Sequence, residues 1–311
     1  MIFVLWVLVI LSVIAGQFCF SMKNEVDSAR LIKDEAQAYY IANAGIAAGL
    51  KKIIGDETGK RAKGKDIKEE DQNLTWRVNT VIQPQSFANG TYTIDIGNES
   101  GKVNLNYASR DLLRILFSSL KLEEDQCKII VDSILDWRDA DALHRLNGAE
   151  NDYYQSLFEP YKCRDGFFRY KDELLLVRGI TKELYYDKGL KDFISIVISP
   201  ESGKGRININ AVPLRLLKIL PGMTSEAVGD IVNFRKKKDI TGLQNLSAIL
   251  GFPLLPELGK NIGYHYNRFY TFNVEGKTDN GFAAHGIQVL IKRTKSYGLG
   301  YQIVQWIDSV P

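Results

Sequence analysis

The first twenty residues, MIFVLWVLVILSVIAGQFCF, contain no charge, and Ser12 and Gln17 are their only clearly polar side chains. At 1.5 Å per helical residue, a segment of this length spans the roughly 30 Å hydrocarbon core of a bilayer. A cleaved secretory signal would have a basic leader region, a shorter apolar core and a small-residue cleavage site. Gly16-Gln17-Phe18-Cys19-Phe20 offers no such site, so residues 1–21 are expected to remain as a single transmembrane anchor. No Lys or Arg precedes Lys23, and charge placement by itself would put the downstream chain in the cytoplasm.

No proline interrupts residues 22–54. Ala29, Ile32, Ala36, Tyr40, Ala44, Ala47 and Leu50 recur at three- and four-residue steps, opposite Lys23, Asp27, Arg30, Lys33, Asp34 and Gln37. That spacing predicts an amphipathic helix continuous with the apolar segment, about 80 Å long from Met1 to near Ile54. Residues 55–73 hold eleven charges of both signs and little to bury, as in an exposed loop.

The whole chain, stem included, is 45% hydrophobic and 25% charged, with 40 Lys plus Arg against 37 Asp plus Glu. This is a globular composition, and the net charge of +3 does not advertise a polyanion-binding protein. Three cysteines and three histidines leave little material for a disulfide scaffold, a zinc site or a His-based triad. No P-loop, dinucleotide-binding glycine pattern or nucleophile-base motif is present, so an enzyme is not expected. His144 sits in an acidic loop and reads as a solvated side chain.

Alternation at Leu74, Trp76 and Val78, and at Tyr92, Ile94 and Ile96 after Asn89-Gly90, predicts two strands of a hairpin. Residues 268–274, 286–293 and 299–307 predict three more. Between them lies an internal echo. Gly101-Lys-Val-Asn-Leu-Asn106 followed by Leu112-Leu113-Arg114-Ile115-Leu116 returns 104 residues later as Gly205-Arg-Ile-Asn-Ile-Asn210 followed by Leu216-Leu217-Lys218-Ile219-Leu220. Each copy continues to an aromatic-Arg pair, Trp137-Arg138 and Phe234-Arg235, and then to a third helix, around 172–177 and 243–250. One small helical unit, used twice and inserted between strands, accounts for this pattern.

These residues together resemble the general secretion pathway protein K family, the large minor pseudopilins of type II secretion. The likeness is carried by the charge-free N-terminus, Glu35-Ala36-Gln37-Ala38-Tyr39-Tyr40-Ile41-Ala42-Asn43-Ala44-Gly45, Val103-Asn-Leu-Asn106, Asp136-Trp137-Arg138-Asp139-Ala140-Asp141, Gly148-Ala149-Glu150 and Arg206-Ile-Asn-Ile-Asn210. The resemblance implies an α+β, pilin-like fold: a long N-terminal helix on an antiparallel sheet, with a large helical domain of two SAM-like or helix-hairpin-helix-like units. The implied boundaries are 22–101 and 266–311 for the pilin-like part and 102–265 for the insert, divided near residue 200. It implies an inner-membrane anchor with a periplasmic body, reversing the orientation read from charge. The implied partners are I- and J-type minor pseudopilins through the N-terminal helix, the inner-membrane secretion platform, and secreted substrates. The implied role is the tip of the periplasmic pseudopilus and initiation of its assembly. The family's leader, a short basic segment ending in glycine and removed by a prepilin peptidase, does not precede Met1, so the chain is expected to begin near the mature form or at a late start. In the family's major subunits an early glutamate neutralises a neighbour's terminal amine. Here the first acidic residue is Glu25, which suits a subunit that receives nothing above it.

Asp136, Asp139, Asp141, Glu150 and Asp152 crowd one loop. The loop lacks EF-hand spacing, and its residues alone leave a solvated acidic loop and a calcium site equally open. The resemblance implies structural Ca²⁺ held by these five carboxylates. Cys127 and Cys163 flank the loop, and the sequence leaves a disulfide and two buried thiols open. An alternative reading of the helical repeats is the helix-hairpin-helix unit of membrane-anchored DNA receptors. Only the first glycine of the phosphate-binding turn is kept, at Gly222, and the corresponding stretch of the first copy is followed by Glu123, Glu124 and Asp125. Nucleic acid is therefore not an expected partner.

Overall fold

The structure is a computed structural model, and it describes residues 1–62, 76–80, 82–199, 205–220, 222–250, 259–294 and 299–309. Helix α1, Ile2–Ala62, is unbroken and about 90 Å long. It continues eight residues, about two turns, beyond the predicted end near Ile54, into the stretch read as a loop. The remainder of that loop, with Leu74, lies outside the described residues. None of the apolar N-terminal window is buried inside the molecule, and by length and composition it suffices to cross a membrane.

The second half of α1 packs on a five-stranded antiparallel sheet of order β1-β2-β7-β8-β9. The first two strands are β1, Gln85–Phe87, and β2, Gly90–Asn98. The helical insert follows, and the chain then returns through β7, Phe269–Thr278, β8, Ala284–Arg293, and β9, Tyr301–Ser309. The predicted hairpin exists, but its first strand is β1. Trp76 and Val78 are buried without joining a ladder strand, because the chain turns there, with Asn79 at φ 54° donating its N–H to Ile96 O.

The sheet-facing stripe of α1 is Ala38, Ile41, Ala42, Gly45, Ile46 and Gly49, set against Tyr92, Ile94, Phe272, Val274, Ile287 and Val289. None of the stripe read from spacing is buried: Ala29, Ile32, Ala36, Tyr40 and Ala47 are exposed, Ile32 and Tyr40 at 67% and 68%, and Ala44 and Leu50 are half-buried. The reason is distance of approach. A Cβ on Gly45 would lie 2.6 Å from Val274, and one on Gly276 would lie 2.4 Å from the Ala38 carbonyl oxygen. Small residues let helix and strands meet almost backbone to backbone, and a hydrophobicity pattern gives alanine and glycine little weight. The helix therefore carries two apolar faces, one spent on the sheet and one open.

Between β2 and β7 the two sequence repeats form a second hydrophobic core. The first copy contains β3, Val103–Asn104, then α2, Arg110–Ser119, α3, Glu124–Arg138, and α4, Asn151–Gln155. Its third helix is a 3₁₀ segment, Lys171–Leu176, where an α-helix was expected. A π turn and α5, Leu190–Phe193, lead into β4, Ile194–Ser195, which pairs parallel with β3. The second copy has β5, Ile207–Asn208, α6, Leu214–Leu217, α7, Ser225–Lys237, α8, Leu243–Leu250, and β6, Ile262–Gly263, parallel to β5.

The echo extends to single hydrogen bonds. Arg138 donates to the carbonyls of Leu105 and Ala108, and Arg235 donates to those of Ile209 and Val212, both at 2.9 Å. Asn106 clamps Phe168 and Ile196, while Asn210 clamps Ile240 and Tyr264. The copies also meet reciprocally. A Cβ on Gly101 would strike Ala211 O, and one on Gly205 would strike Tyr107 O. Ala211 and Tyr107 are the same position of the repeat, so the two units dock reciprocally, each leading glycine against the other unit's equivalent carbonyl.

Candidate functional site

The acidic loop follows α3, where Asp132 and Asp136 stand one turn apart and both are buried. Asp132 takes a 2.9 Å ion pair from Arg110 and accepts from the backbone and side-chain nitrogens of Asn147. Asp136 accepts from the Arg145 backbone N–H and from its guanidinium. Asp139, the C-cap of α3, binds the same guanidinium through Oδ2 at 2.6 Å. Arg145 thus lies between two of the five predicted ligands as an internal cation. Burial works against its charge, but its bonds to Asp139 and Asp136 outweigh this and raise its pKa. Gly148 touches the Asp136 carboxylate so closely that a Cβ would lie 1.7 Å from it.

Glu150 is the unusual member. It is 3% exposed, and both carboxylate oxygens lack a hydrogen-bond partner, as does Asp139 Oδ1. Burial first, then the charges of Asp136, Asp165, Asp139 and Asp141, push its carboxyl up to about 7. Its immediate neighbours are Cys163 and Asp165, whose ligand atoms lie with its own within 4.8 Å of one another. Asn151 holds that pair: its Oδ1 accepts from Cys163 N at 2.7 Å, and its Nδ2 donates to Asp165 Oδ2 at 3.2 Å. Burial pushes the Cys163 thiol up to about 12.

The structure therefore gathers Asp136, Asp139, Asp141 and Glu150 into one electrostatic cluster. Asp141 is exposed and accepts from Leu143 N at 2.9 Å. Asp152 stands exposed in the first turn of α4, outside the groups that act on Glu150. Sequence reasoning missed Asp165, which lies fifteen residues downstream of Glu150 and returns to it only because the chain doubles back. It also missed Arg145, whose charge gave no indication of the direction in which it points. The available signal for Asp165 was the turn-forming Asp165-Gly166 pair, with Asp165 at φ 50°.

The donor set fits a hard divalent cation: orphaned carboxylate oxygens, buried, with one internal guanidinium against five carboxylates. Cys127 and Cys163 are both buried and both free. His144 is exposed, with Nδ1 3.1 Å from Arg145 O. In the basic run 235–238 the three lysines are exposed and Arg235 is not. Arg235 is buried on the carbonyls of its own unit, and the Lys238 ammonium lies 5.0 Å over the Phe234 ring.

Residues 93–197 match the family described as Type II secretion system (T2SS), protein K. Among curated relatives, a Type II secretion system protein K of Pectobacterium carotovorum subsp. carotovorum is 30% identical over 171 residues, 53% of this chain and 49% of that protein. One from Aeromonas hydrophila is 32% identical over 117 residues, 37% of this chain and 34% of that protein. The chain thus spans about half, or less, of the length of these relatives. A chain in the crystal structure of the GspK-GspI-GspJ complex from the enterotoxigenic Escherichia coli Type 2 Secretion System shares the fold at a TM-score of 0.56 and 16% identity, covering 94% of this chain and 100% of that one. Residues 93–197 are thus similar to the type II secretion system protein K family, and the chain as a whole shares its fold with the solved GspK-GspI-GspJ chain.

Proposed function

We propose that this protein is a minor pseudopilin of type II secretion, anchored once in the inner membrane with its body in the periplasm. It caps the pseudopilus tip and helps initiate its assembly, without enzymatic activity. The observation that carries this reading is the second apolar face of α1. Beyond the membrane-length segment, Ala29, Ile32, Ala36, Tyr40 and Ala47 recur at three- and four-residue steps and remain exposed on the same helix that uses its other face on the sheet. A long apolar face beside a membrane is unfavourable in water and calls for partner helices. The structural relative was solved with GspI and GspJ, which supports I- and J-type subunits as those partners. The secretion platform and secreted substrates are the further partners of a subunit in this position. The bulk of the helical insert suits the top of the assembly, where no further subunit stacks above it.

Structural Ca²⁺ belongs to this reading. Asp139, Asp141 and Glu150 would hold it, joined by Asp165, while Arg145 neutralises Asp136. The ion would supply the positive charge that this cluster lacks.

The test is co-purification of the full chain with I- and J-type minor pseudopilins. A stable complex is expected, and Ile32→Glu is expected to weaken capture by about tenfold or more without lowering the melting temperature. Undiminished capture by Ile32→Glu would reject the open face of α1 as the docking surface.

A further inference from the structure

Strand β9 forms one edge of the sheet and, among the described residues, pairs with β8 alone. A long uncovered edge invites a further strand, and natural proteins blunt such edges with Pro, Lys or a covering element. Tyr301–Ser309 contains neither Pro nor Lys, and Ile303, Val304 and Ile307 are 46%, 50% and 39% exposed. Helix α1 lies over β7 between β2 and β8 and leaves β9 at the margin of its cover.

Two bonds fix which backbone groups of this edge are open. Arg293 N donates to Arg268 O at the end of β7, and Thr294 N donates to Gly300 O across the β8–β9 connection. Residues of an antiparallel strand bond alternately to one neighbour and the other, so the even-numbered residues of β8 serve β9. The register shifts at Val304, and beyond it Leu290 stands opposite Gln305 and Gln288 opposite Ile307. The backbones of Gln305 and Ile307 are therefore used on β8, whereas the N–H and C=O of Trp306 and of Asp308 point outward. The side chains of these two residues stand on the α1 side, opposite Val289 and Ile287. Trp306 is half-buried. The Asp308 carboxylate meets Trp306 Nε1 at 2.9 Å and His285 Nε2 at 3.8 Å, and no Lys or Arg among the described residues. An added strand would set an apolar side chain against Trp306 and a cation against Asp308.

We propose that β9 takes up, as a further antiparallel strand, an extended segment of a soluble polypeptide with Lys or Arg two positions before an apolar residue. The occupant carries no stem. Two copies of β9 paired antiparallel in one sheet would point their stems in opposite directions, which anchoring in one membrane forbids. A neighbour's stem packed on this flank of α1 lies 8–10 Å from it. That is over β9, two strand spacings or about 10 Å from β7, so such a neighbour covers the face of β9 and not its edge. The inference rests on the single inner-membrane anchor proposed above and adds a surface that α1 does not supply.

The experiment is fluorescence anisotropy of a fluorescein-labelled peptide, Thr-Thr-Lys-Thr-Val-Thr-Thr, titrated with the full chain in detergent. Saturable binding is expected. N-methylation of the Lys and Val residues, whose N–H groups would face β9, should weaken it about tenfold or more, whereas N-methylation of the Thr between them should not. Replacing Lys by Glu in the peptide, or Asp308→Asn in the protein, should weaken binding about threefold. No binding, or equal binding of the two methylated peptides, overturns the proposal. A dimer of the chain that the peptide dissociates assigns the edge to a second copy and overturns it as well, as does loss of peptide binding on addition of I- and J-type subunits. Ile32→Glu should leave peptide binding intact and Asp308→Asn should leave capture of those subunits intact, so failure at the edge is distinguishable from failure of the open face of α1.

Discussion

Glu99 and Glu150 are two carboxylates at nearly the same depth, 2% and 3% exposed, with opposite fates. Glu99 lies where β2 leaves the sheet for the helical insert. It receives the Lys102 ammonium at 2.5 Å and the Thr271 hydroxyl at 2.9 Å, with the Lys171 ammonium 3.9 Å away. Burial pushes its carboxyl up, but the two lysines overcome this and hold it at about 2. Burial also raises Glu150, and there the surrounding carboxylates add to the rise, to about 7. Burial by itself thus says little about a carboxylate's role; its partners decide. Glu99 ties strand β7 to the first helical unit with its charge already countered by two lysines, although its Oε2 makes no hydrogen bond, whereas neither oxygen of Glu150 is partnered.

The largest effect should come from breaking the site whose charge is already countered. Lys102→Met combined with Lys171→Met leaves Glu99 buried without a countercharge, and denaturant unfolding followed by tryptophan fluorescence is expected to show a loss of about 3–5 kcal/mol. Glu150→Gln in chelator should show no comparable loss, and an equal loss would erase the distinction between the two sites.

Calcium should act on Glu150 alone. At a concentration a hundredfold above its dissociation constant it is expected to stabilise the wild type by about 2.7 kcal/mol. Glu150→Gln and Asp139→Asn should remove that increment, while Glu99→Gln should lower stability yet keep it. A melt insensitive to calcium and chelator in the wild type would leave only the solvated-loop reading.

A pH profile in chelator separates the two carboxylates by sign. Glu99 titrates near 2 in the folded protein against 4.5 ordinarily, so its contribution is in place above 4.5 and is lost as pH falls toward 2. Glu150 titrates near 7. Between 4.5 and 7 the folded state holds a proton that the unfolded chain has released, so stability falls as pH rises through that window. Each limb is expected to amount to about 3 kcal/mol. Glu99→Gln should flatten the acid limb and Glu150→Gln the neutral one, and a neutral limb unchanged in Glu150→Gln would place that titration elsewhere.

The smallest effect is expected at Asp152, which is exposed beside the cluster. Asp152→Asn should change stability by no more than about 0.5 kcal/mol and leave the calcium response intact. Loss of that response would restore Asp152 as a ligand.

The amino-acid sequence by itself determined the features that local chemistry and repetition encode. The anchor-length apolar run, β2, β7, β8 and β9, and the doubled helical unit with its matched Asn and Arg residues were legible because periodicity and near-identity need no knowledge of distant contacts. The open face of α1 was legible too, but as the wrong face: Ile32 and Tyr40 stand out by size, whereas the true packing stripe runs through Ala38, Ala42, Gly45 and Gly49, whose value lies in what they lack. Only the tertiary structure decided that choice, because the distance between helix and sheet is set by β2, about fifty residues on, together with β7, more than two hundred residues away in sequence. The same holds at the acidic loop. Five carboxylates in a row announced excess negative charge, but which of them meets Arg145, which stays in solvent, and which faces Cys163 and Asp165 depends on how the chain after α4 turns back. Charge can be counted along a sequence, whereas the partner that neutralises each charge is fixed by folding.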